Sequence, residues 1–232
     1  MQDIEFYYDF GSPKSYFVHK LLPGIAENHG MRVVWKPLLL GGVFKLTNNQ
    51  SPMETFKDVK GKLEYDAHET ARFVKRHQLP YQRNPHFPVM TIGVMRGAIY
   101  AQDKAFDALY RDTVFSAIWE DQKKMDDPEV IANVFEAAGL PATEIISATQ
   151  LGEVKSGLID ATNEAVSRAS LAHRPFLWEK RCFSGKNPFG KLRTFLVNAH
   201  KAYTSSHSFR TSSRARSSSG VPSNTTCPWP IT

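Results

Sequence analysis

The first 37 residues constrain this chain more than any other stretch. Residues 3–8, DIEFYY, form a short run rich in aromatic and β-branched side chains, as a strand requires. Residues 13–27 place Tyr16, Phe17, Leu21, Leu22 and Ile25 at helical spacing. Residues 31–37, MRVVWKP, read as a second strand that Pro37 closes. Two strands joined through a helix run parallel, so the chain opens on a β–α–β unit. The pattern then turns helical for more than a hundred residues. The stretch 38-LLLGGVFKLTNNQSP-52 reads as a loop with one helical turn. A long helix is expected from Ser51-Pro52 to about His77, with Ser51 as N-cap, Pro52 at the first helical position and Glu54 three residues after the cap. After the turn-rich 79-LPYQRNPHFP-88, helical patterns cover 90–122, 127–138, 142–149 and 153–168. Two strands alone make a marginal sheet. The last third of the chain is therefore expected to return to strands.

Charge and cysteine usage remove several function classes. The net charge of +6 divides unevenly: residues 1–168 carry about −3 and residues 169–232 carry +9. Basic proteins often bind nucleic acid, but here the basicity belongs to one segment of odd composition, and no nucleic-acid partner is expected. No run of about 18 apolar residues is present, so no membrane span is expected. The N-terminus lacks a basic-then-apolar leader, which points to a cytoplasmic protein. The two cysteines, Cys182 and Cys227, form no Cys-x-x-Cys, and the eight histidines are scattered. Neither a disulfide framework nor a metal site is expected.

The junction 8-YDFGSPKSYF-17 carries the chemistry. Ser12 stands where an N-cap belongs, and Pro13 fits the first helical position. Capping alone accounts for both residues. The same placement also puts a hydroxyl in the positive field of a helix N-terminus, beside free backbone N–H groups. An anion held there accepts a hydrogen bond from it. If the anion is a thiolate, its pKa falls and the reactive form is populated.

Three separated stretches resemble one family. FYYDFGSPKSYF, 35-WKPLLLGGVFKLTNNQSP-52 and 84-NPHFPVMT-91 followed by 96-RGA-98 are similar, in order and spacing, to motifs of the 2-hydroxychromene-2-carboxylate isomerases and kappa-class glutathione transferases. The resemblance covers about residues 2–168. It implies an α/β, thioredoxin-like fold of the DsbA-like kind, with a large all-helical insertion. Residues 1–38 and 150–200 would form the thioredoxin-like domain, and 39–149 the helical insertion. It further implies glutathione as cofactor, with Ser12 as the catalytic residue that hydrogen-bonds the thiol, and Asn49 beside it in cofactor binding. Lys45 would pair with a substrate carboxylate and Asn84 would contact substrate. The implied reaction is isomerisation of a small aromatic compound by thiolate addition, bond rotation and elimination, within aromatic catabolism. Alternatives are a kappa-class-like glutathione transferase and a catalytically impaired glutathione-binding protein. A homodimer is implied. Met90 stands where the family often has a polar residue.

The resemblance stops after Arg168. The family carries a pattern like G-V/I-F-G-x-P-T-F-x-V, whose proline is cis. This chain has 169-ASLAHRPFLWEKRCFSGK-186, with 175-PFLW-178 as a strand-like remnant. Shifting the reading frame by one base yields a string compatible with the family pattern. A frameshift at about Arg168–Ala169 is therefore expected. Residues 201–232, dominated by Ser, Thr and Arg, lack the apolar content to offset ordering entropy and are expected to be disordered.

Overall fold

Alternation along residues 3–8 sends Ile4, Phe6 and Tyr8 into the interior and leaves Asp3, Glu5 and Tyr7 on the other face. The computed structural model describes residues 2–171, with side chains for 3–168. In it β1 (Gln2–Tyr8) pairs in parallel with β2 (Met31–Pro37), from Gln2 opposite Met31 to Tyr8 opposite Pro37. The two are joined by α1 (Pro13–Asn28). That helix ends because the His29 N–H returns to the Ala26 carbonyl and Gly30 takes a left-handed φ of +63°. It buries Tyr16, Phe17, Leu22 and Ala26. The His19 ring lies 5.3 Å from Trp35, which meets Phe6 and Tyr8 edge-on at 5.6 and 6.1 Å. On the opposite face Arg168 binds the Tyr7 hydroxyl and the Glu5 carboxylate.

The helical segments follow as α2 (Leu40–Leu46), α3 (Pro52–Phe56), α4 (Lys62–His77), α5 (Ile92–Ala101), α6 (Asp107–Trp119), α7 (Pro128–Ala137), α8 (Ala142–Ala148) and α9 (Gly152–Leu171). Two differ from the sequence pattern. The stretch 38–52 holds two helical turns, not one. The Leu39 N–H donates to Thr162 Oγ1 at 3.0 Å, and a Cβ on Gly42 would lie 3.1 Å from Thr162 Cγ2, so the glycine lets α2 lie directly on α9. The single helix expected over 51–77 is broken in two. Gly61, at φ +75°, adopts a left-handed conformation that interrupts the ladder. Ser51 caps α3 as expected, with Oγ accepting the Glu54 N–H at 3.3 Å, while the Glu54 carboxylate pairs with Lys57.

The core centres on Tyr8, Phe10, Tyr110, Phe115, Trp119 and Phe135, all at most 2 % exposed. Trp119 closes it by donating Nε1–H to the Phe10 carbonyl at 2.8 Å. Trp119→Phe leaves that buried carbonyl unpaired and opens a void. It is expected to lower stability by roughly 2 kcal/mol, read as a reduced urea midpoint at unchanged slope. Helix α9 returns to the sheet, lying against α5, α2 and β2. Among the described residues the sheet has two strands, no helix is long and apolar enough to cross a membrane, and no cluster suited to a metal ion occurs. The expected later strands, the proline of 175-PFLW-178, both cysteines, the frame shift and the serine-rich tail lie outside the described residues.

Candidate functional site

Ser12 forms the mouth of α1. Its backbone is extended (φ −96°, ψ 115°), and its Oγ accepts the Ser15 N–H at 3.2 Å. The oxygen is engaged as an acceptor, which leaves the hydroxyl hydrogen to be donated outward. The residue is half-buried. Partial burial and the helix dipole both strengthen such a donor toward an anion. Lys14 follows at the next turn position, with Nζ 5.8 Å from the Phe17 ring. Although Lys14 is surface-exposed as a residue, protein atoms crowd its neighbourhood. That desolvation pulls its pKa down, against Asp66 and Glu69 of α4, which favour the ammonium.

Behind Ser12 sits a buried carboxylate that the sequence pattern did not single out. Asp9 is 4 % exposed. Its Oδ1 accepts the Gly11 N–H at 2.8 Å and the Thr91 hydroxyl at 2.7 Å, and its Oδ2 accepts the Leu40 N–H at 2.7 Å. Its backbone carbonyl accepts the Ser12 N–H at 3.1 Å. Burial raises its pKa, and the three hydrogen bonds oppose that rise. The signal available in the sequence was an acid placed directly after the last residue of a strand, two residues before a glycine. Gly11 is closely approached, since a Cβ there would lie 3.2 Å from Thr91 Cγ2.

The other candidates divide. Lys45 is exposed in the last turn of α2, five residues beyond the Leu40 N–H that Asp9 holds, or about 7.5 Å of helical rise. Asn49 is exposed in the loop after α2, with its N–H on the Phe44 carbonyl and Nδ2 on Thr47 Oγ1, both at 2.9 Å. The Asp9 carboxylate thus links the Ser12 turn to the helix that carries Lys45. Asn84 is elsewhere in character. It is 2 % exposed, its Nδ2 donates to the carbonyls of Ile118 and Lys123 at 2.9 Å each, and its Oδ1 accepts the His86 N–H at 2.8 Å. That side chain is committed to the scaffold and does not open onto a cleft. Met90, one residue before Thr91, is 69 % exposed. A groove lined by Pro23, Ala26, Glu27, Met31, Val33 and Trp35 lies toward the C-terminal end of α1, away from Ser12.

A β–α–β opening, a serine-capped first helix and a run of helices after β2 coincide with a known domain. Residues 3–170 match the family model described as a DSBA-like thioredoxin domain. The chain belongs to that family. Its fold is the DsbA-like thioredoxin fold, mostly helical with a small parallel sheet. Two curated relatives, both named 2-hydroxychromene-2-carboxylate isomerase, come from Pseudomonas putida and Pseudomonas sp. (strain C18). Each is 28% identical over 138 residues, 59% of this chain and 65% and 62% of the respective relatives. The matched region is thus less than two thirds of either relative's length. The solved structure of selenomethionine 2-hydroxychromene-2-carboxylate isomerase aligns with a TM-score of 0.65 at 21% identity, covering 91% of this chain and 100% of that one. At that identity the likeness concerns the fold.

Proposed function

We propose that this DsbA-like domain is a glutathione-dependent isomerase acting on a small aromatic substrate of the 2-hydroxychromene-2-carboxylate type. The observation that carries this reading is the Ser12 hydroxyl, fixed as an acceptor to Ser15 and therefore presented as a donor at the mouth of α1. The names of the relatives supply the reaction class. The donor set suits a thiolate: one hydroxyl and a helix N-terminus stabilise negative charge without a metal or a second acid. The chemistry contributed by bound glutathione is reversible thiolate addition to a conjugated carbon, which lets the bond rotate before elimination. Ser12 holds the sulfur anion and lowers its proton affinity. Lys45 meets the substrate carboxylate, with Asn49 beside the cofactor. The working unit is a homodimer in the cytoplasm. Asn84 enters this reading as a scaffold residue, because its amide is already spent on Ile118, Lys123 and His86.

A hydrogen bond to a charged group contributes about 1.5–3 kcal/mol, or roughly ten- to a hundredfold. Ser12→Ala is therefore expected to raise the thiol pKa of bound glutathione by about one to two units. Glutathione binding, measured by titration calorimetry, should weaken by about tenfold or more where the bound thiol is fully ionised, and the loss should grow as pH rises through the bound thiol's pKa. Isomerisation that proceeds equally well without glutathione rules the mechanism out. The family-model match ends at residue 170, which favours a second reading, a glutathione-binding protein with impaired catalysis. Glutathione retention without turnover selects it.

A further inference from the structure

A carboxylate buried without an ion partner is costly to keep. No lysine or arginine of the described residues pairs with Asp9, and burial works against its charge. An apolar side chain would close the end of β1 without that penalty. What the carboxylate achieves instead is geometric. Its three donors come from three segments that lie 2, 31 and 82 residues from it in sequence. Gly11 is the residue before Ser12. Leu40 opens the helix that carries Lys45. Thr91 lies against Gly11, with its methyl 3.2 Å from where a Cβ would stand. A fourth link, from the Ser12 N–H to the Asp9 carbonyl, ties the serine to the same residue.

We infer that Asp9 is a positioning residue for the reaction: its single buried carboxylate pins the Gly11–Ser12 turn to Leu40 and Thr91 and so fixes where the Ser12 hydroxyl points. This rests on the reading of Ser12 given above. Asparagine cannot substitute for it. One side of the amide is NH2, so either the Leu40 N–H or the Gly11 N–H would face a donor. Asp9 acts through Ser12 and is not itself placed against substrate.

The test uses a reporter that needs no glutathione. In the full chain, Ser12→Cys puts a thiol at the capping position, and its pKa is read from the pH dependence of iodoacetamide alkylation. A thiol held at a helix mouth titrates below the ordinary value of about 8.5. Adding Asp9→Asn should raise that pKa by at least half a unit and slow alkylation at pH 7 about threefold, because the turn no longer holds the sulfur in the dipole field. Two outcomes overturn the inference. An unchanged pKa makes Asp9 a structural anchor only. A lowered pKa makes it a nearby charge whose removal favours the thiolate. Thr91→Val removes one of the three donors and leaves the carboxylate in place. It should give a smaller rise, and it decides the matter by the same criteria if Asp9→Asn does not fold. Wild-type protein that fails to bind glutathione overturns the proposed function and leaves this result standing. A flat response in the reporter overturns the role of Asp9 and leaves glutathione binding standing.

Discussion

Gly97→Ala is expected to lower the stability of the folded chain by about 3 kcal/mol, enough to remove a large part of a domain's ordinary margin. A Cβ built on Gly97 would stand 2.1 Å from the Tyr110 hydroxyl oxygen and 2.8 Å from its Cζ. Both are far inside van der Waals contact. Tyr110 has nowhere to go. It is fully buried, its rings are 6.1 Å from Phe10 and 5.3 Å from Phe135, and its hydroxyl donates to the Val94 carbonyl at 2.7 Å. Overpacking of a closed core costs about 1–3 kcal/mol, and sometimes more. Loss of the buried hydrogen bond adds about 1 kcal/mol or more. The better helix propensity of alanine returns about 1 kcal/mol. A urea melt measures the balance. Tyr110→Phe in the same chain removes the oxygen that clashes most severely. The double variant should therefore lose less than the sum of the two single losses, a positive coupling of about 1 kcal/mol or more. An unchanged midpoint for Gly97→Ala would mean that α5 and α6 cross less closely than the structure shows.

The features legible in the sequence are those whose causes are local. Ser12 and Ser51 each cap a helix one residue before a proline, and both cap bonds form as the spacing predicts. The parallel pairing of β1 and β2 follows from the helix between them. Legibility fails where the partner is distant. The start of α2 is held by Thr162, 123 residues beyond Leu39. The three donors to Asp9 meet only in the folded chain. Gly61 breaks a helix because its backbone is left-handed, while a glycine in an amphipathic pattern reads as tolerated. At the candidate site, Ser12 carries a local signature, and the structure shows its capping bond to the Ser15 N–H. Asp9, whose hydrogen-bond donors are mostly remote in sequence, carries no such local signature. The resemblance places Asn84 at the cleft, and no local mark in the sequence announces its burial or its bonds to Ile118 and Lys123.

Asn84→Asp is expected to destabilise the chain by about 3 kcal/mol at neutral pH, with a loss that shrinks on acidification. The two amide hydrogens of Asn84 occupy the carbonyls of Ile118 and Lys123. An aspartate presents lone pairs to both oxygens, inside a site that is 2 % exposed. Unsatisfied buried groups cost about 1–3 kcal/mol each, and the facing charges add to that. The carboxylate is therefore disfavoured in the folded state, and its pKa there lies above the unfolded value of about 3.9. The sign follows. Below about pH 4 the group is protonated in both states, and its hydroxyl donates to one of the two carbonyls. As pH rises through the folded pKa, the unfolded chain releases the proton more readily, and stability falls. Urea midpoints taken between pH 4 and 7 should thus decline for Asn84→Asp relative to the wild type. Asn84→Ala should show a loss of about 3 kcal/mol with no added pH dependence. These variants also decide what Asn84 is for. A scaffold residue lowers activity in proportion to the folded fraction and leaves KM of the remaining enzyme in place. A rise in KM at an unchanged urea midpoint would return Asn84 to the substrate cleft, and would require the loop from Asn84 to Thr91 to turn its amide away from Ile118 and Lys123.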